Sequence, residues 1–166
     1  MFTMITGVLY LAIKGHLGGF GIFTTSYGIA ILTGMTLGLI MWANVWFVIW
    51  PNQKIVIASA TQAAKGGTAL PEAASAAAKA GLASRTNTLF SIPMLFFMGA
   101  ASHLPFSVSP NANLGLLALL LGILIFGLEL NAIKGKLGPL TTVKGVIHSG
   151  FGLAVVLYAL VEVLTK

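Results

Sequence analysis

Residues 27–50 read YGIAILTGMTLGLIMWANVWFVIW, a run with no charged side chain. At about 1.5 Å per residue, a helix of that length crosses a hydrocarbon core of roughly 30 Å. Water begins just past it, at Pro51, Asn52, Gln53 and Lys54. Trp42, Trp46 and Trp50 recur at i, i+4 and i+8. That spacing predicts one helix face near the membrane boundary, where an aromatic belt is expected. Anchoring is the first reading for these rings, ahead of stacking on a cofactor.

The rest of the chain agrees with a membrane setting. Of its 166 residues, 57% are hydrophobic and 7% charged. The mean hydropathy is +0.98. Soluble domains carry roughly 25% charged residues, so these few charges do not make a water-soluble surface. Working outward, three further spans are expected at 86–104, 114–132 and 142–164. Pro93 lies inside the second and predicts a bend there, because proline removes a backbone donor. Between the first two spans, residues 55–84 are Ala-rich and broken at Gly66-Gly67. They read as a helical hairpin: an extension of the first span, a turn at 65–70, and a helix opened by Pro71-Glu72.

Charge orients the array. Lys54, Lys65, Lys79, Arg85, Lys134, Lys136 and Lys144 flank the same ends of the spans, while Lys14 and Lys166 flank the other ends. Basic residues in short loops stay on the cytoplasmic side. The expected fold class is therefore an all-α integral membrane protein, a four-transmembrane-helix bundle with a cytoplasmic helical hairpin and an N-terminal short apolar segment. It forms a single membrane domain over 1–166 in a bacterial inner membrane, with both termini periplasmic. Residues 1–20 are read as an interfacial segment or a short membrane segment. Met1–Ile13 is apolar but lacks a basic start and a following A-x-A site, so no cleavable signal is expected.

The net charge of +6 is topogenic here, facing anionic lipid. No basic stripe with interleaved aromatics exists, and nucleic acid is not an expected partner. With no Cys, the chain forms no disulfide, thiolate metal site or c-type haem attachment. Three acids are too few for an oxygen-rich metal cage, and no metal site is expected.

Polar residues inside spans are costly, so each is a candidate for function. Asn44, Arg85, Asn87, Glu129, Asn131 and His148 fall at one depth near the cytoplasmic face. An acid, a base and amides at one level suit a quinone head, a proton relay or a polar ligand. The plainer reading is an interhelical network with Glu129 paired to Arg85, Lys144 or His148. His16 and His103 lie near the outer face. Together with His148 they are the candidate ligands for haem b, the one cofactor considered. His148 and His103 sit at opposite depths and are not expected to share one haem.

Two stretches carry more specific information. Residues 43–57, ANVWFVIWPNQKIVI, and 84–106, SRTNTLFSIPMLFFMGAASHLPF, resemble the urate oxidase N-terminal family. These are the membrane parts of bacterial cytochrome-c-linked urate hydroxylases, with shorter stand-alone relatives. The resemblance covers residues 30–106 and implies structural roles for Asn44, Pro51, Asn52, Gln53, Arg85, Asn87 and Pro93. Longer members place a His about three turns before the Asn of the Asn-Val pair, and another at the position of Thr86. Here the first position is near Leu32, so neither holds a His. The resemblance thus implies a short relative without the cytochrome c domain, more an accessory component than a urate-hydroxylase-like oxidoreductase. The expected function is a structural or accessory subunit of a membrane redox (electron-transfer) complex, with other membrane subunits or further copies of itself as partners. A haem b electron carrier and a small oligomeric transporter or channel are the alternatives.

Overall fold

The computed structural model describes residues 2–14 and 19–166. Among them are only helices, turns and irregular segments. α1 is Phe2–Ile13, α2 Ser26–Ala43, α3 Trp50–Ala64, α4 Ala73–His103, α5 Leu114–Lys134 and α6 Val143–Leu164. A π-helical stretch, Asn44–Ile49, joins α2 to α3 without a break. Short 3-10 turns lie at Phe20–Phe23 and Gly138–Thr141.

α2, α5 and α6 begin where the sequence offers a cap. The side chains of Thr25, Asn113 and Thr142 accept from the backbone N–H groups of Gly28, Leu116 and Gly145. Each supplies an acceptor to a donor that the helix start leaves unpaired. At the other end of α3, Gly66 adopts φ +82°. The Gly67 N–H reaches the Gln62 carbonyl and the Gly66 N–H reaches that of Ala63. This pair of bonds closes a helix through a left-handed residue, a conformation glycine adopts without a side-chain clash.

Length decides what projects. The continuous helix Ser26–Ala64 has 39 residues, about 58 Å and nearly twice a hydrocarbon core. α4, with 31 residues, is about 46 Å long. The excess of both lies at the same end and forms the 55–84 hairpin. There Ala76, Ala80 and Ala83 are buried, and the Leu70 N–H donates to Ser59 Oγ at 3.0 Å. α5 and α6, at 21 and 22 residues, are about 32 Å each and match a bilayer. Among the described residues, Ser26–Ala64, α5 and α6 are the three helices apolar and long enough to cross a membrane.

α4 is the central helix, touching α2, α3, α5 and α6. Its Phe90 and Phe97 are wholly buried, and Pro93, also buried, lies within an unbroken helix. Contacts fix its neighbours' directions. Arg85, Ile92 and Phe96 meet Leu140, Gly150 and Tyr158 in that order, so α6 runs parallel to α4. Gly34 faces the Met94 and Met98 backbone, while Asn44 meets Asn87, so α2 runs antiparallel. The Phe106 N–H donates to Ser26 Oγ, and the Ser109 N–H to the Thr165 carbonyl. These bonds gather the α2 start, α4 end and α6 end at one pole. Lys134, Lys136, Lys144, Arg85 and the hairpin lysines lie at the other.

One sequence expectation is corrected: Pro71 and Glu72 sit in the turn, and α4 begins at Ala73. Trp46 and Trp50 are exposed, and the Trp42 indole nitrogen is enclosed.

Candidate functional site

The buried polar centre starts from that π-helical stretch. Pro51 has no N–H, and its ring crowds the carbonyl four residues earlier, so the α ladder is not comfortable there. The ladder widens instead: the Trp50 N–H reaches back five residues to the Val45 carbonyl. Asn52 Nδ2 donates to the Val48 carbonyl at 2.7 Å, serving an acceptor beside the proline. At the other end of the stretch, the Asn44 N–H is shared between the Ile40 and Met41 carbonyls. The Asn44 side chain is 1% exposed.

Asn44 Nδ2 uses its two hydrogens on two helices. It donates to Asn87 Oδ1 on α4 at 2.9 Å and to Glu129 Oε2 on α5 at 2.9 Å. Asn87 Nδ2 in turn donates to the Met41 carbonyl at 3.0 Å. One amide thus ties α2, α4 and α5, and a second returns to α2. In lipid, apolar surface gives helices little reason to associate, and interhelical hydrogen bonds and close packing take over. Glu129 is half-buried. Among the described residues the one ion pair is Lys166–Glu162 at 3.1 Å; Glu129 has an amide partner and no cation.

The other residues placed at this depth do not join. Arg85 Nη1 donates to the Leu140 carbonyl at 2.9 Å, so it holds the α5–α6 connection and not Glu129. Asn131 closes its own helix end, with Nδ2 donating to the Lys136 carbonyl and Oδ1 accepting from the Lys136 N–H. His148 is exposed, and its Nδ1 lies 2.7 Å from the Lys144 carbonyl one turn back. Depth gives level, whereas the direction a side chain faces is set by helix rotation.

Haem b fits poorly between the described histidines. His103 ends α4 and is exposed, as is His148. Because α4 and α6 run parallel, His148 lies near the level of Phe90, and His103 about thirteen residues, roughly 20 Å, further along. Two axial ligands of one iron face each other across it. His16 lies outside the described residues. No group of three or more His, Cys, Asp or Glu gathers among the described residues.

The Asn-Val and Trp-Pro-Asn-Gln residues now have visible roles: Asn44 as the hub, Pro51 and Asn52 as the makers of the π-helical stretch. The urate oxidase N-terminal family model matches residues 3–159. The chain belongs to the urate oxidase N-terminal family. The match covers nearly the whole chain, including α5 and most of α6, whose generic apolar sequences carry little family signal. No curated protein and no solved structure matches. Within this family member, Leu32 lines a shallow groove between α2 and α5. Thr86 is 1% exposed and donates to its own helix at the Leu82 carbonyl.

Sequence reasoning missed two features of the site. The Met41 main-chain carbonyl accepts from Asn87, which no side-chain pattern signals. The π-helical stretch had one signal, a proline shortly beyond an intramembrane Asn.

Proposed function

We propose that this chain is a small integral membrane subunit, a structural or accessory component of a membrane redox assembly. The observation that carries this reading is the closed Asn44–Asn87–Glu129 network. Its amide donors are taken up between helices of the same chain. That suits a helix lock better than a site that exchanges ligand. The resemblance to membrane parts of cytochrome-c-linked enzymes supplies the redox setting. Non-histidine residues at Leu32 and Thr86 argue against urate oxidation by the chain itself.

In this reading four helices cross a bacterial inner membrane, including the central part of α4. Neighbouring helices cover α4 on several sides. The 55–84 hairpin is cytoplasmic and both termini are periplasmic; seven basic residues at one pole support this orientation under the positive-inside rule. Its partners are lipid and larger membrane subunits.

The chain has no Cys, so single cysteines report cleanly. With Gly66→Cys and Asn111→Cys, an impermeant maleimide on intact cells should label 111 and spare 66. Labelling of 66 from outside overturns the orientation. Purification from native membrane in mild detergent should bring larger subunits in fixed ratio. A chain that emerges alone, with a stoichiometric haem b band, overturns the accessory role.

A further inference from the structure

Two ionisable groups on the spanning helices each leave one atom unpartnered. Asn44 holds Glu129 Oε2, but among the described residues no donor reaches Glu129 Oε1, and that atom is not enclosed. His148 stands exposed on α6. Its Nδ1 lies 2.7 Å from the Lys144 carbonyl. A carbonyl only accepts, so Nδ1 carries the hydrogen and Nε2 is the free end. Ionisable groups within a bilayer are costly when open to lipid, and they ordinarily pair.

The two groups share a depth but not a face. One Asn44 nitrogen reaches both Asn87 and Glu129, so Glu129 is level with Asn87. Ile92 packs on Gly150 and α6 runs parallel to α4, so His148 is level with Phe90. Those levels differ by about 5 Å of helix, a gap that two side chains bridge. The surfaces beside them also match. A groove of about 370 Å³ lies between α2 and α5, lined on α5 from Leu114 to Phe126, one turn short of Glu129. On α6, His148, Gly152, Val155, Ala159 and Val163 form one exposed strip. Leu114–Glu129 and His148–Val163 are equally long, about 22 Å each. Gly152, whose Cβ would meet nothing within 4 Å, leaves room for another helix to approach.

We propose that α6 of one copy of this chain docks in the α2–α5 groove of the next, with His148 Nε2 on Glu129 Oε1. A rotation about the bilayer normal carries a second copy's His148 to that groove without changing its depth. One proton held between imidazole and carboxyl keeps the pair neutral as a whole, which suits lipid. Groove and strip are different surfaces, so the contact is heterologous. Each copy gives α6 to one neighbour and receives α6 from the other, and repetition about the normal closes a ring. The chain supplies both halves of the contact at one depth and over one length, which selects a second copy over a foreign helix. The inference rests on the four-span placement of the proposed reading and not on the accessory role.

The test uses the full chain, which has no Cys, in membranes. Gly122 lines the groove seven residues from Glu129, and Val155 lies seven residues from His148, both away from the lysine pole. A Cβ at Gly122 meets nothing within 4 Å, and Val155 is exposed, so cysteines at both spare the chain's own packing. Oxidation of the Gly122→Cys, Val155→Cys double variant should give a ladder of multimers. Each single variant should stay monomeric, and the two singles mixed should give dimers. His148→Ala in the double variant should weaken association about tenfold or more, the scale of one hydrogen bond to a charged group. The cross-linked fraction on dilution with lipid reads this, and the melting temperature should not move. Absence of the ladder overturns the proposal, as does self-linking of either single variant or a ladder indifferent to His148→Ala. Cross-linking to a larger protein in place of a second copy overturns it too. Maleimide labelling of Gly66→Cys and Asn111→Cys reports the bilayer placement separately.

Discussion

Asn44 Nδ2 donates to Glu129 Oε2 at 2.9 Å, joining the end of α2 to the last turns of α5. α2 and α5 otherwise touch little. The bond therefore fixes a pair of helices whose apolar faces leave a groove between Thr33, Thr36, Leu117 and Leu121. With the second bond from Asn44 to Asn87, α2 is held against the central helix and the outer helix by one side chain. A single amide has this leverage because it is 1% exposed, and no water competes for its hydrogens.

Removing the hub should leave two acceptors without their donor. Asn44→Ala is expected to destabilise the protein by about 1–3 kcal/mol, the range for a buried partner left unsatisfied. Asn44→Asp should cost more, because it sets a carboxylate against Glu129 Oε2 and Asn87 Oδ1. Reversible unfolding in mixed micelles reads both, and a double-mutant cycle with Glu129→Gln isolates the pair. Equal losses for Asn44→Ala and Asn44→Asp would mean that the 44–129 contact does not form.

Helix ends and the hairpin were legible because they depend on neighbours in sequence. Asn113 and Thr142 stand immediately before Leu114 and Val143, and Gly66-Gly67 closes α3 with a local pair of bonds. That Asn44, Asn87 and Glu129 meet was legible from counting along each helix. Rotation was not. Of the six polar residues read at one depth, Arg85, Asn131 and His148 face backbone carbonyls or their own helix.

Gly34 and Gly38 form a GxxxG pair, but only the first sits at a close approach. A Cβ at Gly34 would stand 3.3 Å from the Met94 carbonyl oxygen and the Met98 backbone nitrogen, whereas one at Gly38 would meet Met94 Cγ at 3.9 Å. Small residues let helix backbones approach in lipid. Gly34→Leu should therefore cost about 1–3 kcal/mol through overpacking, and Gly38→Ala should change little. Thermal unfolding followed by size-exclusion chromatography would separate them. Similar behaviour for both would show that α2 and α4 do not meet at Gly34.

His103 and His148 are both exposed and about 20 Å apart along the parallel helices α4 and α6. The chain purified alone should therefore give a reduced-minus-oxidised spectrum without a haem b band that depends on this pair. His103→Ala and His148→Ala should leave whatever spectrum it has unchanged. A band lost in both variants would require the two imidazoles to meet, in contradiction to the parallel packing of Ile92 on Gly150 and Phe96 on Tyr158.

Arg85 holds a turn rather than an acid. Its Nη1 lies 2.9 Å from the Leu140 carbonyl, and Leu140 is 4% exposed in the Gly138–Thr141 turn. A charged donor on a backbone carbonyl contributes about 1.5–3 kcal/mol. Arg85→Ala should lower stability by that amount and raise amide hydrogen exchange across residues 138–142. The 65–70 turn should be untouched, since its bonds run to Gln62, Ala63 and Ser59. Arg85→Lys keeps the charge at the pole but offers a compact ammonium in place of the planar guanidinium fork, so it should rescue only in part. Were Arg85 instead the partner of Glu129, Arg85→Ala and Glu129→Gln would be non-additive and exchange at 138–142 would stay low. That outcome would move the α5–α6 connection off α4 and leave Glu129 paired with a cation.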